Sequence, residues 1–176
     1  MDEEGFGHHF GVLFQVFAHF ALGWWHRETG RPLGREDVEP LTWALVEAAR
    51  QIVAADYLAS LEWLQAYSRR MAAWWAGGFD LLITPTLPHP PLPLGSYPAD
   101  DLRRTAVAAM KTVTFTAPFN VTGQPAISLP LHWTPDGLPV GVQLVAASGR
   151  EDVLLRIASQ IELAHPWAGR RPPVCA

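Results

Sequence analysis

A chain of 176 residues, 49% hydrophobic and 17% charged, has the length of one ordinary domain and the apolar content of a packed core, which excludes a disordered segment. Its 13 basic and 17 acidic residues are interspersed and leave a net charge of -4, so there is no basic face to hold a nucleic-acid backbone. The single cysteine, Cys175, allows no internal disulfide and fits a reducing, cytoplasmic setting.

The opening Met1-Asp2-Glu3-Glu4 is acidic where a secretory leader is basic. Residues 10–25 are apolar but contain Gln15 and His19. They fall short of the roughly 18–20 apolar residues of a membrane span and are expected to form a buried helix. That helix, rich in Phe and Trp, has no obvious apolar partner within the chain. Residues 27–35, with Gly30, Pro32 and Gly34, are expected to be a loop. The next helix is expected to begin near 38–42 with Pro40 in its first turn. Leu41, Leu45, Ala48, Ala49, Ile52 and Val53 recur at its period, and the pattern continues through Tyr57, Leu61, Leu64, Met71 and Trp75. One break is expected near 53–56, with Asp56 capping the second helix and Gly77-Gly78 stopping it.

Residues 79–84 read as a short strand covered on both faces. Residues 85–98 hold six prolines and read as an extended loop rather than as a polyproline ligand. Asp100 is expected to cap a helix from 101 to about 110, and 115–124 is expected to be a loop. Strands at 126–131 and 138–146 are expected to pair antiparallel around a turn at 133–137, set by Pro135 and Gly137. Ser148 and Glu151 suggest a capping box. The last helix, with Val153, Leu154, Ile157 and Ile161 on one stripe, is expected to end near Ala164, before His165-Pro166.

From residue 79 onward several segments, taken in order, resemble the C-terminal region of the amidase-signature family. They are Phe79-Asp80-Leu81-Leu82-Ile83-Thr84-Pro85-Thr86, Phe115-Thr116-Ala117-Pro118-Phe119-Asn120-Val121-Thr122-Gly123-Gln124-Pro125-Ala126, Gly137-Leu138-Pro139-Val140-Gly141-Val142-Gln143-Leu144-Val145, and the stretch 151–162 followed by Pro166-Trp167. Residues 37–70 also look like the branch that includes the 6-aminohexanoate cyclic-dimer hydrolases, and the resemblance is weaker before Val38. It implies an α/β fold with helices packed on a mixed twisted sheet, with residues 1–176 forming the C-terminal portion of a single amidase domain. It also implies hydrolysis of a small-molecule carboxamide without cofactor or metal.

The family's catalytic unit is a serine nucleophile, a second serine with a cis peptide bond, and a lysine. A hydroxyl is too weakly acidic to attack an amide unaided, so a neutral lysine takes its proton through the second serine. Backbone N–H groups of a glycine-rich turn receive the developing oxyanion. Ser60, Ser68, Ser96, Ser128, Ser148 and Ser159 include no adjacent pair and none lies in a glycine-rich turn, and the sole lysine, Lys111, does not stand where the family's lysine stands. No catalytic residue is carried over, and the chain alone is expected to be inactive.

The resemblance places Asn120, Thr122 and Gln124 in a loop near the substrate pocket, as substrate contacts or as supports of the loop shape, and Thr84 and Thr86 flank Pro85 at a strand end, where α/β proteins often bind ligands; Thr86, Asn120, Thr122 and Gln124 are the expected substrate-binding residues. The plainer readings are strand termination at Thr84 and Thr86 and an asparagine bonding its own turn at Asn120. Spacing alone leaves open a Ser128–His132 or Ser96–His89 pair, although no nucleophile elbow is present. The seven histidines show no metal-ligand spacing. The rival class is a non-catalytic interaction module that self-associates or pairs with a separate catalytic half.

Overall fold

A computed structural model describes residues 4–98 and 100–170. Cys175 and the residues of the acidic opening before Glu4 lie outside them. The chain divides into two compact units, Met1–Arg70 with Pro93–Lys111 and Met71–Leu92 with Thr112–Ala176.

The first unit is helical. Helix α1 (Phe6–Thr29) runs past the expected end near Trp25, because the Thr29 hydroxyl donates to the Trp25 carbonyl at 2.8 Å and Gly30, at φ +68°, closes the final turn. The helix finds partners at its N-terminal half: Phe6 meets Tyr67 with ring centroids 5.0 Å apart, and His9 stacks on Trp63 at 4.7 Å. The buried helix expected over residues 10–25 is only partly so: it packs against the following helix, but Phe17 is 64% and Phe20 61% exposed. A turn at Arg35–Asp37 follows, where Asp37 accepts from Arg31 at 2.6 Å and from the Gly34 N–H at 2.9 Å. Those two bonds hold the Asp37 carboxyl below the usual carboxylate range.

Helix α2 (Pro40–Ala49) opens on its proline, and the expected break separates it from α3 (Ala54–Ala76). Asp56 lies inside the first turn of α3 rather than before it, so it favours the helix dipole and is not the cap that was expected. Val46, Ala49, Ser60, Leu64 and Tyr67 are buried. Helix α4 (Leu102–Thr112) is capped one residue later than the sequence suggests: Asp101, not Asp100, accepts from the Arg104 N–H at 2.9 Å.

The second unit is built on a three-stranded antiparallel sheet in the order β1-β3-β2, from β1 (Leu82–Pro85), β2 (Ala126–Trp133) and β3 (Pro139–Val145). This is the part of the expected helix-and-sheet fold that the described residues supply. β1 is shorter than expected and is an edge strand, so Ile83 is 64% exposed while Thr84 is buried; the expected cover on both faces is absent. Pro130 is tolerated because β2 is also an edge, and the register slips between Pro130 and His132. Residues 115–124, expected as loop, contain helix α5 (Ala117–Thr122). Pro118 sits in its first turn, where proline is compatible, and Gly123 at φ +69° ends it.

Helix α6 (Glu151–Ala164) has the expected span, but Ser148 forms no capping box. The N-cap is Arg150, without a side-chain cap bond, and the Arg150 guanidinium instead reaches Asp152 at 3.0 Å. One sheet face, with Leu129, Leu144 and Ala146, packs on Leu154 and Ala158 of α6. At one end of the other face, Val145 packs with Trp75 and Phe119, bordered by Met71, Trp74 and Leu82.

Candidate functional site

Strand register builds the site. Thr84, Gln143 and Ser128 occupy aligned positions on β1, β3 and β2, so their side chains share one face. They continue the face that carries Val145, two residues along β3, where the apolar contacts give way to a polar row. Gln143 and Thr84 are buried. The Gln143 carboxamide donates from Nε2 to Thr84 Oγ1 at 3.0 Å and to the Phe115 carbonyl at 2.8 Å. One side chain therefore ties two strands to the segment that enters α5. Burying a carboxamide and a hydroxyl is tolerable only when they are bonded this way.

The next position on the same face of β3 is Gly141. Its missing side chain lets Thr86, which follows β1, reach Ser128 on β2: their hydroxyl oxygens are 2.7 Å apart. A Cβ at residue 141 would stand 2.6 Å from Ser128 Oγ and 2.7 Å from Thr86 Oγ1, so the close approach requires glycine. The Thr86 N–H also donates to the Gly141 carbonyl at 3.0 Å.

Above the hydroxyl pair opens a cleft of about 300 Å³, walled by Leu87, Pro91, Pro130, Pro139 and Val140, with His89 at one side. His89 Nδ1 lies 2.9 Å from the Pro90 carbonyl, which only accepts, so this nitrogen carries the proton; Nε2 lies 3.1 Å from the Thr112 hydroxyl. Among the described residues, no Asp, Glu, Lys or Arg lines the cleft. Two hydroxyls that bond each other retain one hydrogen to donate and lone pairs to accept, which suits recognition of an uncharged amide. A nucleophile needs a base, and Ser128 has a second hydroxyl as its partner.

Of the residues the sequence singled out, Thr86 lies in this cleft. Thr122 and Gln124 meet each other, the threonine hydroxyl donating to Gln124 Oε1 at 2.7 Å beside the end of α5, and Gln124 is buried. Asn120 is exposed on α5, its N–H bonded to the Thr116 carbonyl at 3.2 Å. The two serine–histidine pairings do not form: Ser128 bonds Thr86, and the Ser96 hydroxyl donates to the Pro93 carbonyl at 2.6 Å. Sequence reasoning missed Gln143 and Ser128 as members of the row. The available signal was that Gln143 is a lone amide in the run Val140 to Val145, one pleat from Gly141.

Residues 29–155 match the family model described as Amidase. The chain belongs to the amidase family. This amidase chain is 45% identical over 150 residues to 6-aminohexanoate-cyclic-dimer hydrolase of Pseudomonas sp. (strain NK87), a match covering 81% of the chain and 30% of that protein. It is 44% identical, with the same coverage, to the protein of that name from Paenarthrobacter ureafaciens. The amidase chain thus spans about 30% of the length of these curated relatives. A solved 6-aminohexanoate cyclic dimer hydrolase complexed with substrate superposes with a TM-score of 0.84 at 39% identity, over 93% of this chain and 35% of that one. A bacterial aryl acylamidase at 21% identity and a TM-score of 0.67 shares the fold. Among the described residues, no cluster of His, Cys, Asp or Glu is arranged to hold a metal, and no helix is long and apolar enough to cross a membrane.

Proposed function

We propose that this chain is the C-terminal portion of a single amidase domain and forms one wall of its substrate pocket. The Ser-cis-Ser-Lys unit would be supplied by amidase sequence outside these residues, and the chain alone is inactive. The observation that carries this reading is the polar row: a buried Gln143–Thr84–Phe115 network and an open Thr86–Ser128 pair, set in an otherwise apolar sheet beneath an uncharged cleft. Such groups cost stability unless satisfied, and proteins keep them where they position something.

The chemistry follows from the lining. An uncharged, largely aliphatic amide fits the hydroxyl pair and proline walls, whereas a free carboxylate or ammonium would find no counter-ion there. A cyclic amide, with no charged ends, is such a compound, and relatives at 44–45% identity bear the name of a cyclic-dimer hydrolase. Thr86 contacts the substrate directly, while Asn120, Thr122 and Gln124 shape the pocket loop. The reaction is cytoplasmic and uses neither cofactor nor metal. A second reading, self-association or pairing with a separate catalytic half, is supported by the exposed Phe17, Phe20 and Trp24 of α1. A size measurement in solution tests it: a monomer that binds no hydrophobic dye would count against it.

The decisive experiment replaces the matching segment of a 6-aminohexanoate-cyclic-dimer hydrolase with this chain. The chimera should hydrolyse the cyclic amide and the purified chain should not. Hydrolysis by the purified chain, or a folded chimera with no activity, would overturn the proposal.

A further inference from the structure

The helical unit contains a separate polar crevice of about 650 Å³, opening between α1, the end of α2 and the first turns of α3. Its floor is Ser60, only 1% exposed, whose hydroxyl lies 3.1 Å from His9 Nδ1. The His9 ring is also stacked on Trp63, so the imidazole is fixed from two sides. Burial, and then the neighbouring His8, lower the His9 pKa from its ordinary value. At the rim stand Gln15, Gln51 and His8, and among the described lining residues Asp56 is the only carboxylate and there is no lysine or arginine. Val12 and Ile52 give the crevice an apolar side. A side chain at Gly11 would meet no described residue within 4 Å of its Cβ, so the α1 side stays open.

We propose that this crevice binds a primary ammonium group carried on a short aliphatic body. An ammonium brings three donors and no acceptor. The Asp56 carboxylate and the two glutamine carbonyls offer acceptors, and among the described lining residues no lysine or arginine competes for them. The apolar side covers the methylenes. An anion would face Asp56 with no lysine or arginine of the described lining to offset it, and an alcohol would leave that charge unanswered. The inference stands on the helical unit and is independent of the reading given to the polar row.

The test titrates n-hexylamine into the full chain and follows the His9 and Trp63 ring resonances by NMR, with 1-hexanol and hexanoate as controls. Saturable shifts are expected for the amine alone. Asp56→Asn should weaken binding about tenfold, the size of one lost hydrogen bond to a charged group. Gly11→Leu should abolish it by filling the opening, while the melting temperature holds or rises because leucine is the better helix former. Absence of a saturable shift, equal shifts with hexanol, or unchanged affinity in either variant would overturn the proposal.

Discussion

On one face of the sheet, Leu129, Leu144 and Ala146 interlock with Leu154 and Ala158 of α6, and the buried polar side chains Thr84 and Gln143 lie on the opposite face. On the other face, Val145 starts the same way against Trp75 and Phe119, but two residues along β3 the lining turns to Thr84, Gln143, Ser128 and Thr86. Both faces are made by the same three strands at the same pitch, so propensity and register cannot account for the difference. The first face is what burial requires. On the second, Thr84 and Gln143 are buried polar groups that only break even when bonded, and this is the ground for proposing that the face meets something other than protein core.

Substitutions on the two faces should therefore fail in different ways. The largest loss of stability is expected for Leu144→Ala, about 2–5 kcal/mol from lost burial and a cavity against α6. Urea denaturation reads it, and the hydroxyl pair on the opposite face should survive. Gly141→Ala comes next, at about 1–3 kcal/mol, because the new methyl must push Thr86 and Ser128 apart. Combining it with Ser128→Ala should recover part of the loss, and strict additivity in that cycle would refute the steric account.

Gln143→Met keeps the volume but leaves the Thr84 hydroxyl and the Phe115 carbonyl without their donor, a cost of about 1–3 kcal/mol. Hydrogen exchange should then quicken at residues 115–122, which would not happen if Gln143 were only filling space. Smallest of all is the surface pair Arg31–Asp37 in the helical unit. The folded state depresses the Asp37 carboxyl, so its contribution is present above the ordinary carboxylate pKa and is lost as pH falls through the folded value. An acid titration of Arg31→Ala should show a slightly shallower loss of stability than the parent.

The apolar face was largely legible in the sequence. The stripe Leu154, Ile157 and Ile161 placed α6, Gly77-Gly78 stopped α3, and the turn around Pro135 and Gly137 announced the β2–β3 pair. Caps were read one to three residues off at Asp56, Asp100 and Ser148, because the residue that starts a helix is the least certain feature of its pattern. Helix α5 was hidden because Pro118, Asn120 and Gly123 are loop formers in isolation and become a start, an exposed turn and a stop only in place. The polar row was half legible. Thr86 stood out as a polar residue at a strand end, but Gln143 bonds a residue 59 positions away, and a partnership at that distance has no local signature. The Thr86–Ser128 contact depends on the absence of a side chain at Gly141, which registers only once the strands are aligned.

The central claim is that the polar face is a pocket wall and not a structural feature. In the chimera that carries this chain, kcat/KM for the cyclic amide should be compared with that of the same chimera bearing Thr86→Val and Ser128→Ala, with thermal midpoints measured alongside. The account predicts a fall of about tenfold in kcat/KM with the midpoint nearly unchanged, since the pair is solvent-accessible. Unchanged kcat/KM, or a loss that merely follows a collapse in stability, would contradict it.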